Sequence, residues 1–180
     1  MAILPIVIAP DPILEKVAEP VDEVNAEIRN IIDNMIETMH YEQGAGLAAP
    51  QVGISKRIFL MDISSYYKKE MPLYVVINPE FTNLSEETWE ETEGCLSIPV
   101  GARILVERPK AVRMKYLDYN GNQQEIEADG WLARGFLHEN DHLNGVTGLD
   151  YLSLLKKDLM IRKLNKYKKN KEQPAAKHDL

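Results

Sequence analysis

One cysteine, Cys95, is the entire thiol content of this 180-residue sequence. A lone cysteine excludes an internal disulfide, and a chain of this length buries enough apolar surface to fold without such staples. No apolar run approaches the length needed to span a bilayer. The first residues, Met1-Ala2-Ile3-Leu4-Pro5, lack the basic region and apolar stretch of a secretory signal. A reducing, cytoplasmic location is therefore expected. Internal repeats and low-complexity segments are absent too, which excludes solenoids and compositionally biased linkers. What remains is the balance of a globular domain, 44% hydrophobic and 27% charged. The net charge of −7 is unevenly spread: residues 151–180 carry nine Lys or Arg against three Asp or Glu, a net of +6 that leaves −13 on the body.

Pro5, Pro10, Pro12 and Pro20 make the first 21 residues an irregular start with one short helix at 12–18. Asp22 is placed to cap a helix ending near residue 42. In it Val24, Ile28, Ile31, Ile32, Met35, Ile36 and Met39 recur at helical spacing, and Gly44-Ala45-Gly46 stops it. Residues 57–63 and 74–77 read as buried strands, the second ending at Asn78-Pro79, and 80–92 as a half-exposed acidic strand. Strands at 111–118 and 122–128 flank Asn120-Gly121, a hairpin turn signal. A further helix opens at Asp129 or Gly130 and stops at Asn144-Gly145, and Ser153 caps a last helix to about residue 169. The expected class is α+β, with mixed or antiparallel sheets packed around a central helix and with N-terminal and C-terminal helices. Residues 1–170 are expected to form a single catalytic domain with its C-terminal helix at 153–169, and 171–180 a disordered tail around Pro174.

Histidine is scarce, four in all, yet two fall on the central helix in His138-Glu139-Asn140-Asp141-His142. Four residues of separation put both imidazoles on one face, one turn apart, which suits two nitrogen ligands of one metal ion. The intervening glutamate suits a base acting on a metal-bound water, so the pattern points to metal-assisted hydrolysis. A catalytic site of this kind takes a third protein ligand. Downstream choices are poor: Asp150 and Asp158 have no supporting context, and Glu172 lies near the chain's end. His40 and His178 lie on the first helix and in the tail. Upstream, Cys95 in Glu93-Gly94-Cys95-Leu96-Ser97 completes a documented ligand set of one Cys and two His, its sulfur arriving from a distant strand segment. The other reading of Cys95 is a small buried hydrophobe.

Three short motifs, Gly44-Ala45-Gly46-Leu47-Ala48-Ala49-Pro50-Gln51, Glu93-Gly94-Cys95-Leu96-Ser97 and His138-Glu139-Asn140-Asp141-His142, occur in the order found in the peptide deformylase family, which the chain resembles over residues 1–160. The resemblance implies a hydrolase that removes the formyl group from the N-terminal formyl-methionine of newly synthesised polypeptides and releases formate. It implies one divalent metal, natively Fe(II), with Zn(II), Ni(II) or Co(II) able to replace it in a purified sample; ligation by Cys and His fits several first-row metals. Cys95, His138 and His142 become the ligands. A metal-bound water attacks the formyl carbon, with Glu139 as general base and then general acid. The Gln51 side-chain amide and the Leu96 backbone N–H become oxyanion donors, and Gly46 and Gly94 lie against the substrate.

The chain departs from the family pattern at several places. Ala45 stands where a larger branched residue is usual, Gly135 is small for a position lining the methionine pocket, and Leu137 replaces a frequent Gln. The segment Val100-Gly101-Ala102-Arg103 is one residue longer. These changes predict a roomier methionine pocket with no catalytic group lost. A general metalloprotease would instead need the missing downstream ligand, and a silent ribosome-binding protein with a structural metal would need neither Glu139 nor Gln51. The basic residues Lys156, Lys157, Arg162, Lys163, Lys166, Lys168, Lys169 and Lys171 fit docking of the C-terminal helix on the ribosome, as the family implies, or a solvated helix end with cations at its favourable terminus. Neither a membrane nor sequence-specific nucleic acid is expected as a partner.

Overall fold

In the computed structural model, which describes residues 2–68 and 70–172, Asn25 rather than Asp22 opens the first long helix. Its side chain accepts the Ile28 N–H at 3.0 Å, and α1 runs Ala26–Tyr41. An Asn side chain in this position satisfies an amide that the helix itself leaves without a partner. Val24 therefore lies outside the helix, though it packs on the same apolar cluster as Ile28 and Ile32. The helix also ends before the glycines, at Glu42 and the left-handed Gln43. Gly46 begins a strand, which glycine content had hidden. The expected helix at 12–18 is one 3-10 turn, Pro12–Glu15.

The strands in chain order are β1 (Gly46–Ala48), β2 (Ile58–Met61), β3 (Tyr74–Leu84), β4 (Thr88–Glu93), β5 (Ile104–Pro109), β6 (Ala111–Leu117) and β7 (Gln123–Asp129). A short α2 (Ser64–Tyr67) follows β2, α3 (Gly130–Leu143) follows β7, and α4 (Leu154–Glu172) comes last. Five strands form one antiparallel sheet in the order β1-β2-β3-β6-β7, and β4 and β5 form a separate antiparallel ribbon. The chain has the expected α+β architecture. Strand β5 was not anticipated, and the strand foreseen at 80–92 is the end of β3, a turn and β4. Nor does β3 stop at Asn78-Pro79. It passes through them with a register shift between Ile77 and Glu80, because Asn78 adopts φ 51 and Pro79 has no N–H for the ladder.

Strand β2 reads as an unbroken apolar run because both of its faces are covered. Phe59 and Met61 point into a cluster with Ala133, Phe136 and Leu143 of α3. Ile58 and Leu60 point the other way, against Ile28, Ile32, Met35 and Met39 of α1. The main sheet thus lies between α1 and α3. A third cluster gathers Ile98, Ile104, Val106, Leu14, Leu149 and Leu164, and joins the β4–β5 ribbon to α4.

Helix α4 begins after Ser153, whose carbonyl accepts the Lys157 N–H at 2.8 Å, and continues to Glu172 rather than 169. Residues 171 and 172, expected in the tail, are helical; residues 173–180 lie outside the described residues. No helix among the described residues is long and apolar enough to cross a membrane.

The Asn78 side chain accepts the Val21 N–H at 2.9 Å and donates to the Val21 carbonyl at 2.8 Å, fastening the N-terminal segment to the sheet. Replacing Asn78 with Ala strands both groups beside a buried residue. It is expected to cost about 1–3 kcal/mol, read as a lower urea midpoint at unchanged m-value.

Candidate metal centre

Helix α3 is enclosed on two sides. Ala133, Phe136 and Leu143 face the main sheet, while Arg134, His138 and His142, spaced by four, face the β4–β5 ribbon and the cavity beside it. The helix stops where Gly145 takes φ +73, a conformation that favours glycine, and a Cβ there would meet the Glu15 carbonyl oxygen at 2.5 Å. The N-terminal segment crosses close to the end of the helix that carries both histidines, where the Ala18 N–H donates to the Leu143 carbonyl at 2.8 Å.

Cys95 sits in a turn just past β4 rather than on a strand. The turn is closed by the Ile98 N–H bonding to the Cys95 carbonyl at 2.9 Å, and is anchored by the Ala9 N–H on the Ser97 carbonyl at 2.9 Å. Its Sγ is 3.3 Å from His142 Nε2. The ligand atoms of Cys95, His138 and His142 all lie within 4.8 Å of one another. Burial opposes ionisation of the Cys95 thiol, yet His142 and His138 beside it hold it well below the usual thiol range. A thiolate with two imidazoles at this spacing suits a first-row dication. The alternatives set aside in favour of Cys95 are engaged elsewhere. Asp150 accepts the Thr147 N–H and pairs with Lys157, Asp158 pairs with Arg162, and His40, on α1, meets Asp62. His178 is outside the described residues.

Gln51 lies in a 3-10 turn, Ala49–Val52, that follows β1. The Ala48 N–H donates to its Oε1 at 2.8 Å, which fixes the amide so that Nε2 faces Cys95 Sγ at 3.4 Å and Ser97 Oγ at 3.2 Å. Leu96 follows the sulfur, and among the described residues its backbone N–H meets no protein acceptor. Glu139 is buried, and among the described residues its Oε2 has no hydrogen-bond partner, like His142 Nδ1. Burial pushes the Glu139 carboxyl up to about 7, against the pull of His138 and His142. A Cβ on Gly46 would run into Glu139 Oε1, so glycine is required there for the carboxylate to hold its place. A Cβ on Gly94, by contrast, would meet nothing within 4 Å.

Glu93 is the residue whose part the sequence concealed. Its carboxylate accepts from Arg108 Nε at 2.6 Å and Nη2 at 2.9 Å, from Arg134 Nη1 at 2.6 Å, and from His138 Nδ1 at 2.7 Å. Burial alone would raise the Glu93 carboxyl, but the hydrogen bonds from His138 and Arg108 and their charges bring it down to about 2. With Nδ1 engaged, the His138 ring presents Nε2 towards Cys95, the usual arrangement of a carboxylate behind a metal-binding histidine. Arg108 also reaches Asp141 at 3.0 Å, which accepts the Tyr151 hydroxyl at 2.7 Å. Arg134 lies over the Trp89 ring at 4.4 Å. A glutamate two residues before a lone cysteine was the available signal, but Glu86, Glu87, Glu90 and Glu91 surround it with identical side chains.

The cavity beside these groups has a volume of about 520 Å³ and is open on one side. Gly46, Met61, Leu96, Trp131, Gly135 and Glu139 are among its walls. The space over Gly135 is not free: a Cβ there would meet Met61 Cε at 2.6 Å. The missing side chain alone therefore does not widen the pocket.

Known proteins resemble this chain in sequence and in fold. A family model described as Polypeptide deformylase matches residues 3–158. The chain belongs to the polypeptide deformylase family. A peptide deformylase of Rickettsia akari is 48% identical over 174 residues, covering 94% of this chain and 99% of its own. One of Rhizobium meliloti is 45% identical over 171 residues, covering 95% and 97%. The crystal structure of peptide deformylase from Ehrlichia chaffeensis superposes with a TM-score of 0.88 at 43% identity, over 94% of this chain and 98% of that one. A second structure of that enzyme, in complex with actinonin, gives 0.87 at 44% identity, over 97% and 100%. As a member of a metalloenzyme family that removes the N-terminal formyl group from polypeptides, the chain is a metal-dependent hydrolase acting on a linear amide.

Replacing Glu93 with Gln removes the charge that holds two buried guanidiniums and orients His138. Metal affinity is expected to fall roughly 10–100-fold, measured by competition with a chromophoric chelator.

Proposed function

We propose that Cys95, His138 and His142 hold the divalent metal and that Glu139 carries the proton transfers of deformylation. The supporting observation is the convergence of three potential ligand atoms within 4.8 Å beside a buried carboxylate whose Oε2 has no partner among the described residues. Bound there, the metal supplies Lewis-acid polarisation and lowers the pKa of a coordinated water. Fe(II) is the proposed native ion, with Zn(II), Ni(II) or Co(II) able to take its place.

Glu139 Oε2 takes a proton from the attacking water as its oxygen bonds to the formyl carbon. It returns that proton to the departing nitrogen as the C–N bond breaks, leaving formate and a free amine. A carboxyl that exchanges protons near neutrality suits both halves of the cycle. Negative charge that develops on the formyl oxygen needs donors already in place. Gln51 Nε2, held by the Ala48 N–H on its other end, and the Leu96 N–H are the proposed donors. Gly46 and Gly94 let the peptide backbone lie close.

The proposed substrates are nascent chains beginning with formyl-methionine, in the cytoplasm, and residues 1–170 act as one catalytic domain. Replacing Glu139 with Gln is expected to leave the metal bound and to lower kcat by about 10²–10⁴-fold. Removing the metal with a chelator should abolish formate release, and re-addition should restore it. Full activity of Glu139→Gln would assign the proton transfers elsewhere.

Ribosome docking rests on α4, where Leu154, Leu155 and Leu159 are exposed at 88%, 71% and 50% amid the lysines. Co-sedimentation with ribosomes is expected at low salt and should fall steeply as salt rises. Failure to co-sediment at low salt would reject docking.

A further inference from the structure

Two glycines on different elements face one side chain. Gly46 opposes Met61 across the β1–β2 ladder, and Gly135 lies on α3 three residues before His138. A Cβ at Gly46 would meet Met61 Cε at 2.8 Å, and one at Gly135 would meet Cε at 2.6 Å and Sδ at 2.8 Å. Carbon atoms do not approach so closely. The Met61 thioether therefore fills the volume that both positions leave, on the wall of the cavity that Glu139 also lines. Its backbone does not move with it, because β2 is paired to β1 on one side and β3 on the other. Only the side-chain torsions are free. An unbranched thioether fills irregular space and adapts to a flexible apolar partner.

We propose that Met61 is the specificity-determining wall for the first side chain of the formylated peptide, and that Gly135 is the position that allows it to be. The width of the pocket beside Glu139 is then set by β2 rather than by α3. This deepens the deformylase reading and rests on it.

The test compares wild type, Met61→Ala, Gly135→Ala and the double variant, each metal-loaded and checked for folding by circular dichroism. The substrates are formyl-Met and formyl-Phe tripeptides of otherwise identical sequence. Met61→Ala is expected to raise the kcat/KM ratio of formyl-Phe to formyl-Met about tenfold, the scale of a few methylenes in an apolar pocket. Gly135→Ala pushes the thioether into the cavity and should lower that ratio through KM, whereas in the double variant the effects should not add. Affinities for the free-amine product peptides, measured by calorimetry, should follow the same order. Should Met61→Ala not fold, Gly135→Ala, which favours helix, and the double variant decide. Ratios within roughly twofold of wild type in every folded variant would overturn the role of Met61 while leaving deformylation intact. No formate release by metal-loaded wild type would overturn both.

Discussion

The Glu93 carboxylate, buried between the β4–β5 ribbon and α3, takes hydrogen bonds from Arg108, Arg134 and His138, all between 2.6 and 2.9 Å. Each partner comes from a different position in the fold: Arg108 from β5, Arg134 and His138 from successive turns of α3. The ribbon, which shares no strand with the main sheet, is thereby held to the helix that the sheet supports. Burying such charges is expensive, and removing one member of a buried pair costs about 3–5 kcal/mol because its partner stays behind uncompensated. Here two guanidiniums meet two carboxylates, Glu93 and Asp141, so the network is close to neutral. Its stacking on Trp89 and its link to Tyr151 leave little freedom for the ring of His138.

The same network explains why the candidate metal-binding groups need no long loop to meet. Glu93 ends β4, and Cys95 follows two residues later in a tight turn. Holding the ribbon against α3 therefore delivers the sulfur to within 3.3 Å of His142. On the opposite side the main sheet supplies the other half of the site. Strand β1 brings Gly46 against Glu139 and leads directly into the turn that aims Gln51 at Cys95. Met61, across the ladder from Gly46, occupies the remaining space. Charge organises one wall of the site, and close packing around two glycines organises the other.

Much of this was legible because the chemistry uses rare residues. A single cysteine and a histidine pair at helical spacing leave few ways to assemble a metal site, and β2 and the hairpin around Asn120-Gly121 follow from pattern and turn chemistry alone. The failures have common causes. Asn25 displaced Asp22 as a helix cap because capping depends on the geometry of one turn, which composition does not reveal. Strand β1 was masked by its glycine, whose conformational permissiveness reads as a stop. Glu93 was lost among neighbouring glutamates of equal appearance. Met61 was one apolar residue in a buried run, and the empty position at Gly135 suggested space that a distant strand had already filled.

The sequence by itself determined the reaction class and the candidate ligands and base, because metal affinity and acid–base chemistry reside in individual side chains and in spacings short enough to be set by one helical turn. Tertiary structure alone decided which carboxylate stands behind His138, which amide faces the sulfur and what fills the pocket beside Glu139. Those outcomes depend on burial and on contacts between segments 41 to 74 residues apart, such as Glu93 with Arg134 and Met61 with Gly135. A side chain's environment across such separations is fixed only when the sheet, the ribbon and the helix have closed on one another.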